Sequence, residues 1–352
     1  MNKATDRRHF LKTTLLGGLG AVGAARWAGL GLAEQSPAKP ASCVVLTTGN
    51  DRTDIVFRGL KPLAAEVARA IGDRRIIIKP NNVAIETQLA ATHADTLVGI
   101  FEFLKSIGKL GQAAIAESAA AGPTMEGFAN YNYTKIAAKY GVKLVDLDQE
   151  PVEIVHVFDE KDFRPHAVRM SRMLLDPRNY LVSAARMKTH DRVLATLSLK
   201  NIVFGAPIKD AGVRWGKKPP PGAKTDKPIA HGSGFRAINF NLFQLAQRMR
   251  PHLAVIDGFE GMEGDGPIGG TPVDHRVCVA GTDWLAADRV GIELMGIDFA
   301  KVGYLNYCGQ AGLGETDLKR IEVVGEPIAR HVKTYKLAKN VEQQLQWMRP
   351  PA

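Results

Sequence analysis

From residue 43 onward, short apolar runs alternate with longer stretches in which apolar residues recur every three or four positions. Cys43 to Thr48, Arg75 to Lys79, Gln112 to Ala116, Val142 to Leu147, Tyr180 to Ala184, Leu253 to Ile256, Val277 to Ala280 and Ile321 to Val324 have the length and content of buried strands. Between them, 53–71 sets Ile55, Val56, Leu60, Leu63, Val67 and Ile71 on one helical face. A helix opening at Thr92 to Asp95 and running to Ile107 does the same with Val98, Phe101, Leu104 and Ile107, and Thr92 or Asp95 is expected to cap it. Further helices are predicted at 124–140, 236–249 and 284–295, with an amphipathic helical tail at 333–348. Strands alternating with helices predict an α/β fold, a doubly wound and mostly parallel sheet with right-handed crossovers.

Two segments break the alternation. Residues 151–178 read as an inserted hairpin. Residues 209–235, with prolines at 219–221 and His231-Gly232-Ser233-Gly234, read as a long Pro/Gly loop of the kind that closes over a site or binds a ligand. The expected organisation is a signal peptide at 1–33, a linker at 34–42, a single α/β domain at 43–326 and the tail at 327–352.

The signal reading rests on Arg7-Arg8-His9-Phe10-Leu11-Lys12, which resembles the twin-arginine export signal. Thr13 to Ala25 is weakly apolar and too short to span a bilayer, and Gly31-Leu32-Ala33 supplies small residues for cleavage. This implies the twin-arginine export machinery as a partner, a periplasmic or otherwise exported location, and no membrane anchor after cleavage.

Composition narrows the partners. The formal net charge is +10, spread along the chain, which suits a small anionic ligand. No basic stripe carries interleaved aromatics, so nucleic acid is not an expected partner. Cys43, Cys278 and Cys308 stand far apart. Their spacing supports neither zinc nor an iron–sulfur cluster, and an odd count argues against a disulfide framework. The oligomeric state is not readable from the sequence.

In an open α/β sheet, ligands sit at the carboxyl ends of the strands. Four predicted strands end in polar groups: Lys79 with Asn81, Glu117 with Ser118, Lys188 with His190, and Asp257. A second cluster, Thr196, Ser198, Lys200 and Asn201, follows the third. Lys79, Lys188 and Lys200, helped by Asn81 and Asn201, are the expected anion-binding groups. His190, His93 and Glu117 are the expected acid/base groups. Residues 258–270 are rich in glycine and carry acidic side chains. Asp257, Glu263 and Asp265 would converge there on a divalent metal, although the spacing of a calcium loop is absent. The same glycines could instead turn backbone N–H groups toward an anion. There is no Walker loop, Gly-x-Ser-x-Gly elbow, His-Glu-x-x-His or dinucleotide fingerprint.

Taken together, Ile78-Lys79-Pro80-Asn81, Thr92-His93, Glu117-Ser118, Lys188-Thr189-His190, Ser198-Leu199-Lys200-Asn201 and Asp257-Gly258 through Gly264-Asp265-Gly266-Pro267 resemble domain of unknown function 362 in order and rough spacing, over residues 43–325. That family has no settled activity. Many of its members append a ferredoxin-like domain with two iron–sulfur clusters, whose cysteines this chain lacks. Two function classes stay open. One is an exported enzyme using acid/base or metal-assisted chemistry on a small anion. The other is a periplasmic ligand-binding or accessory protein that uses the same crevice without turnover.

Overall fold

The computed structural model describes residues 41–349. The export signal and nearly all of the linker lie outside the described residues. Eleven strands follow in chain order: β1 (Ser42–Thr48), β2 (Arg75–Pro80), β3 (Ala113–Glu117), β4 (Lys143–Asp146), β5 (Val152–Asp159), β6 (Arg164–Ser171), β7 (Asn179–His190), β8 (Leu194–Thr196), β9 (Leu253–Glu263), β10 (Thr271–Gly281) and β11 (Ile321–Gly325). The main sheet runs β11-β1-β10-β9-β7-β2-β3-β4, with β8 pairing on β7. Along that path only β10 runs against its neighbours. The expected α/β sheet, mixed but mostly parallel, is what forms. β5 and β6 make the separate hairpin read at 151–178.

Period-two alternation places side chains on both faces. Ile77, Leu181, Ala254 and Ile256 join one apolar cluster, and Ile76, Ile78, Val182 and Val255 join the other. Helices Arg52–Leu60, Ala64–Ile71 and Ala94–Ser106 cover the second face. Helices Ser198–Val203, Phe235–Ala246 and Trp284–Leu294 cover the first.

Several expectations change in detail. The helix read at 53–71 tightens to a 3-10 turn at Lys61–Leu63, where Pro62 removes a backbone donor. The helix read at 124–140 breaks at Asn132, which is left-handed (φ 61°). His93, rather than Thr92 or Asp95, caps the helix at 94–106, its Nδ1 accepting from the Asp95 N–H at 3.2 Å. β7 and β9 run well past their apolar runs, because the two strands keep pairing as far as Arg186 with Asp257 and Lys188 with Met262. The glycine-rich stretch after Asp257 is therefore mostly strand and hairpin.

The tail is not the expected helix over 333–348. It crosses the molecule in an extended form, and only Val341–Gln344 and Leu345–Met348 make short helical turns. Other partners take its backbone groups. Lys333 and Tyr335 N–H donate to Leu294 and Met295 carbonyls, and Lys336 C=O accepts from Gly264. Among the described residues, no helix is long and apolar enough to cross a membrane.

Candidate functional site

The carboxyl ends of β2 and β3, the helix Ser198–Val203 and the loop that follows it enclose a cavity of about 100 Å³. Of the residues singled out in the sequence, it gathers Lys79, Asn81, Glu117, His190, Lys200 and Asn201.

Lys79 is fully buried and held on several sides. Its Nζ lies 2.7 Å from Glu117 Oε1 and 2.8 Å from Oε2, and it donates to Pro80 C=O at 2.9 Å and Asn201 Oδ1 at 3.2 Å. Burial lowers its pKa, against the raising effect of Glu117. Glu117 also accepts from the N–H groups of Asn82 (3.0 Å) and Ser118 (2.8 Å). It is thus the anchored counter-ion of Lys79. Asn201 ties the two strands to the helix, donating to Lys79 C=O and Ser183 Oγ and accepting from Asn81 Nδ2. Gly205 ends this stretch because a Cβ there would collide with the Lys79 side chain.

Lys200 differs. It is 7% exposed, and no hydrogen bond or ion pair holds its Nζ among the described residues. Its contact is with the Phe204 ring, 5.3 Å away. Burial pulls its pKa down to about 7, Asp191 resists and Lys79 assists. The charge of Lys200 in turn helps push Lys188 well below the ordinary lysine range, after burial. Lys188 Nζ, just outside the cavity wall, donates to the Ala90 (3.0 Å) and Pro267 (3.4 Å) carbonyls.

Two histidines face the same space with opposite tautomers. Burial keeps His190 well below its ordinary pKa and brings His231 down to about 4, so both are neutral at pH 7. The Arg192 N–H donates to His190 Nδ1 at 3.0 Å, which places the ring proton on Nε2. His231 Nδ1 lies 2.8 Å from the Lys227 carbonyl and must donate to it, which leaves Nε2 as an acceptor.

Asn82 and Thr196, from the polar clusters after the strands, also line the cavity, and Lys227 and His231 are cavity residues that the sequence did not mark as site groups. Lys227 and His231 come from the Pro/Gly loop, where neither has a local pattern to reveal it. The loop is brought in by distant contacts. Arg169 on β6 pairs with Asp226 (3.0 Å) and Asp210 (2.6 Å), and the Trp215 N–H donates to Ala121 C=O at 3.0 Å. Arg214 pairs with Glu126 at 2.5 Å, and Lys209 with Asp148. The inserted hairpin therefore acts as the loop's buttress. Lys227 Nζ donates to Pro207 C=O at 2.7 Å, and burial lowers its pKa to about 7.

The remaining expected site residues lie elsewhere. His93 is half-buried at the other face, near Arg52 and Asp257, and burial and Arg52 lower its pKa. Asp257 accepts from Thr96 Oγ1 at 2.7 Å and lies 3.4 Å from Arg52 Nε. Glu263 Oε2 accepts from the Lys336 N–H, and Asp265 Oδ1 from the Lys339 N–H, both at 2.9 Å. At the rise of an extended strand, six residues separate Asp257 from Glu263 by roughly 20 Å. These three carboxylates do not converge as the metal reading required. Gly261 is explained by packing too, since a Cβ there would strike the Tyr335 hydroxyl of the tail. Among the described residues, the group with metal-ligand spacing is Asp159, Asp162 and His166, at the hairpin turn.

A wider depression of about 420 Å³ opens at the opposite sheet edge. Its arginines are engaged already. Arg74 meets His252 at 3.3 Å and the Ala70 carbonyl, and Arg250 donates to the Ala246 and Gln247 carbonyls.

The family model for domain of unknown function 362 matches residues 76–293, well over half of the chain. The chain belongs to this family. The match holds β2 to β10, the hairpin, the Pro/Gly loop and every cavity residue. The chain is also similar in sequence to a thylakoid-associated protein of Synechocystis. The two are 20% identical over 268 residues, 76% of each chain.

Proposed function

We propose that the crevice binds a small anion, a carboxylate or phosphate group, and carries out acid/base chemistry on the molecule that bears it. The observation that carries this is a surplus of buried positive charge. Lys79, Lys200 and Lys227 line the cavity, Lys188 and Lys209 are buried outside its lining, and among the described residues only Glu117 and Asp148 form ion pairs with these five. Burying an uncompensated ammonium is costly, and an anion in the cavity offsets that cost. Orphaned polar atoms support the same reading. Among the described residues, Asn81 Oδ1, both amide atoms of Asn82 and Thr196 Oγ1 are buried without hydrogen-bond partners. His190, as donor, and His231, as acceptor, would move the protons.

Titration with inorganic phosphate and acetate, followed by calorimetry, tests the binding. Binding near pH 8 is expected to take up a proton, because a bound anion raises the pKa of Lys200. Lys200→Met should weaken binding at least about tenfold, the loss of one charge-assisted contact. No heat and no thermal shift with either anion would end this reading. Deuterium exchange into carbon-bound positions of small carboxylic acids, followed by NMR, tests the chemistry.

A non-catalytic binding protein is the second reading. It draws on Glu117, whose carboxylate is fully engaged by Lys79 and two N–H groups. Binding with no exchange would favour it. Export by the twin-arginine route belongs to both readings. A reporter active only after export, fused behind residues 1–40, should lose its signal when Arg7 and Arg8 become lysine.

A further inference from the structure

We propose that Lys200 is a nucleophilic amine that forms an imine with a small 2-oxo acid of about the size of pyruvate. This deepens the anion-binding reading above and rests on it.

The other buried lysines are committed to fixed acceptors. Lys79 is held by Glu117, a carbonyl and Asn201. Lys188 is held by two carbonyls, Lys209 by Asp148, and Lys227 by the Pro207 carbonyl. An amine that donates to fixed acceptors is aimed away from an incoming carbon. Among the described residues Lys200 has no such acceptor, and it stands at the cavity wall against an aromatic ring. A lysine desolvated in this way beside other cations is the kind that becomes nucleophilic. Its depressed basicity leaves a large unprotonated fraction at neutral pH.

The surroundings fit the rest of the reaction. The cavity, about 100 Å³, is well below the 300 Å³ or so of a site for drug-sized ligands. It suits three carbons. Lys227, which lines the same cavity, supplies a donor for the carboxylate, which leaves Lys200 for the carbonyl. The Nζ lone pair forms the C–N bond as the carbonyl π pair moves to oxygen. The oxygen takes one proton from the nitrogen and one from solvent, with the His190 Nε2–H donating a hydrogen bond to it, and leaves as water. The iminium then draws electrons from the neighbouring C–H bond, and His231 Nε2 accepts that proton. No oxidant or reductant is required.

Reductive trapping tests this with the full-length protein. The protein is incubated with pyruvate, borohydride delivers hydride to the imine carbon, and the digest is mapped by mass spectrometry. One carboxyethyl group per chain is expected on Lys200, at least about tenfold over any other lysine, as a perturbed nucleophile requires. Its yield should rise between pH 6 and pH 8, and saturating phosphate should suppress it. Label spread over exposed lysines, or absent from Lys200, overturns the imine. Phosphate binding without label removes the imine and leaves the anion site standing, whereas loss of both removes both. Lys200→Arg serves as a second check, since it keeps a charge but cannot form an imine and should bind phosphate while giving no label.

Discussion

Two groups of buried cations share the carboxyl edge of the sheet, one on each face, and they are built from different residues. On the face of the helix Ala94–Ser106 the cations are arginines. Arg186 donates to the carbonyls of Ala91 and Glu260, both at 2.8 Å, and meets the Glu260 carboxylate at 3.3 Å. Arg52 pairs with Asp257, and Arg52 and Arg276 both lie over the Phe259 ring, at 4.7 and 4.3 Å from its centre. On the face of the helix Ser198–Val203 the cations are lysines around a cavity. A guanidinium stays charged wherever it is placed, so arginines serve where the charge must be permanent and the partners fixed. An ammonium can lose its proton when buried. The lysine side is where charge can change, and it is the side with room for a ligand.

The largest expected effect breaks that contrast from the lysine side. Glu117→Gln leaves Lys79 buried without its counter-ion and should cost about 3–5 kcal/mol of unfolding free energy, read from urea denaturation. On the arginine side, Asp257→Asn removes a buried carboxylate that serves Thr96 and Arg52. It should cost about 2–3 kcal/mol and leave phosphate binding within about twofold. If Asp257→Asn abolished binding, the two groups would be one site.

Lys200→Met should act with the opposite sign on stability. An unpaired buried ammonium is replaced by an apolar chain of similar length, and the protein should gain about 1 kcal/mol or more at pH 6 while losing its anion. The gain should shrink as pH rises. The folded pKa of Lys200 is about 7 and the unfolded value about 10.4, so between these the unfolded chain holds more protons and wild-type stability climbs with pH. Melting curves of the two proteins from pH 6 to pH 10 should therefore converge. Parallel curves would show that Lys200 is paired in solution. The smallest effect is Arg276→Ala, which removes one half-exposed guanidinium from Phe259 and should cost under about 1 kcal/mol.

Most of the sheet and one wall of the site were readable from the sequence, for a physical reason. Buried strands of a two-faced sheet are apolar at every position, and a basic or amide group directly after one has few places to go but the carboxyl edge. Lys79, Asn81 and Glu117 were found this way. Lys227 and His231 were not, since what brings them in is Arg169 on the hairpin pairing with Asp226, a contact between segments with no shared pattern. The acidic wall expected from Asp257, Glu263 and Asp265 failed because glycine spacing cannot say what approaches the backbone. At Gly261 the neighbour is Tyr335, and Lys336 and Lys339 take the carboxylates. The tail misled for a related reason. Val341 and Leu345 sit at helical spacing, but Tyr335 and Gln344 are drawn to His275 and to the Leu194 N–H instead.

The pairing of β1 with β11 bears on how the chain reaches this state. Ser42 lies opposite Ile321 and Leu46 opposite Gly325, so the first and last described strands are neighbours. Such a long loop must close before that ladder repays its entropy, which makes the step slow and late. Until residues 321–325 have left the ribosome, β1 presents an open edge, the arrangement most prone to wrong pairing. The sheet is therefore complete only once Ile321–Gly325 is available to β1, and a nascent chain stalled before Ile321 should bind to chaperones that one carrying this strand escapes.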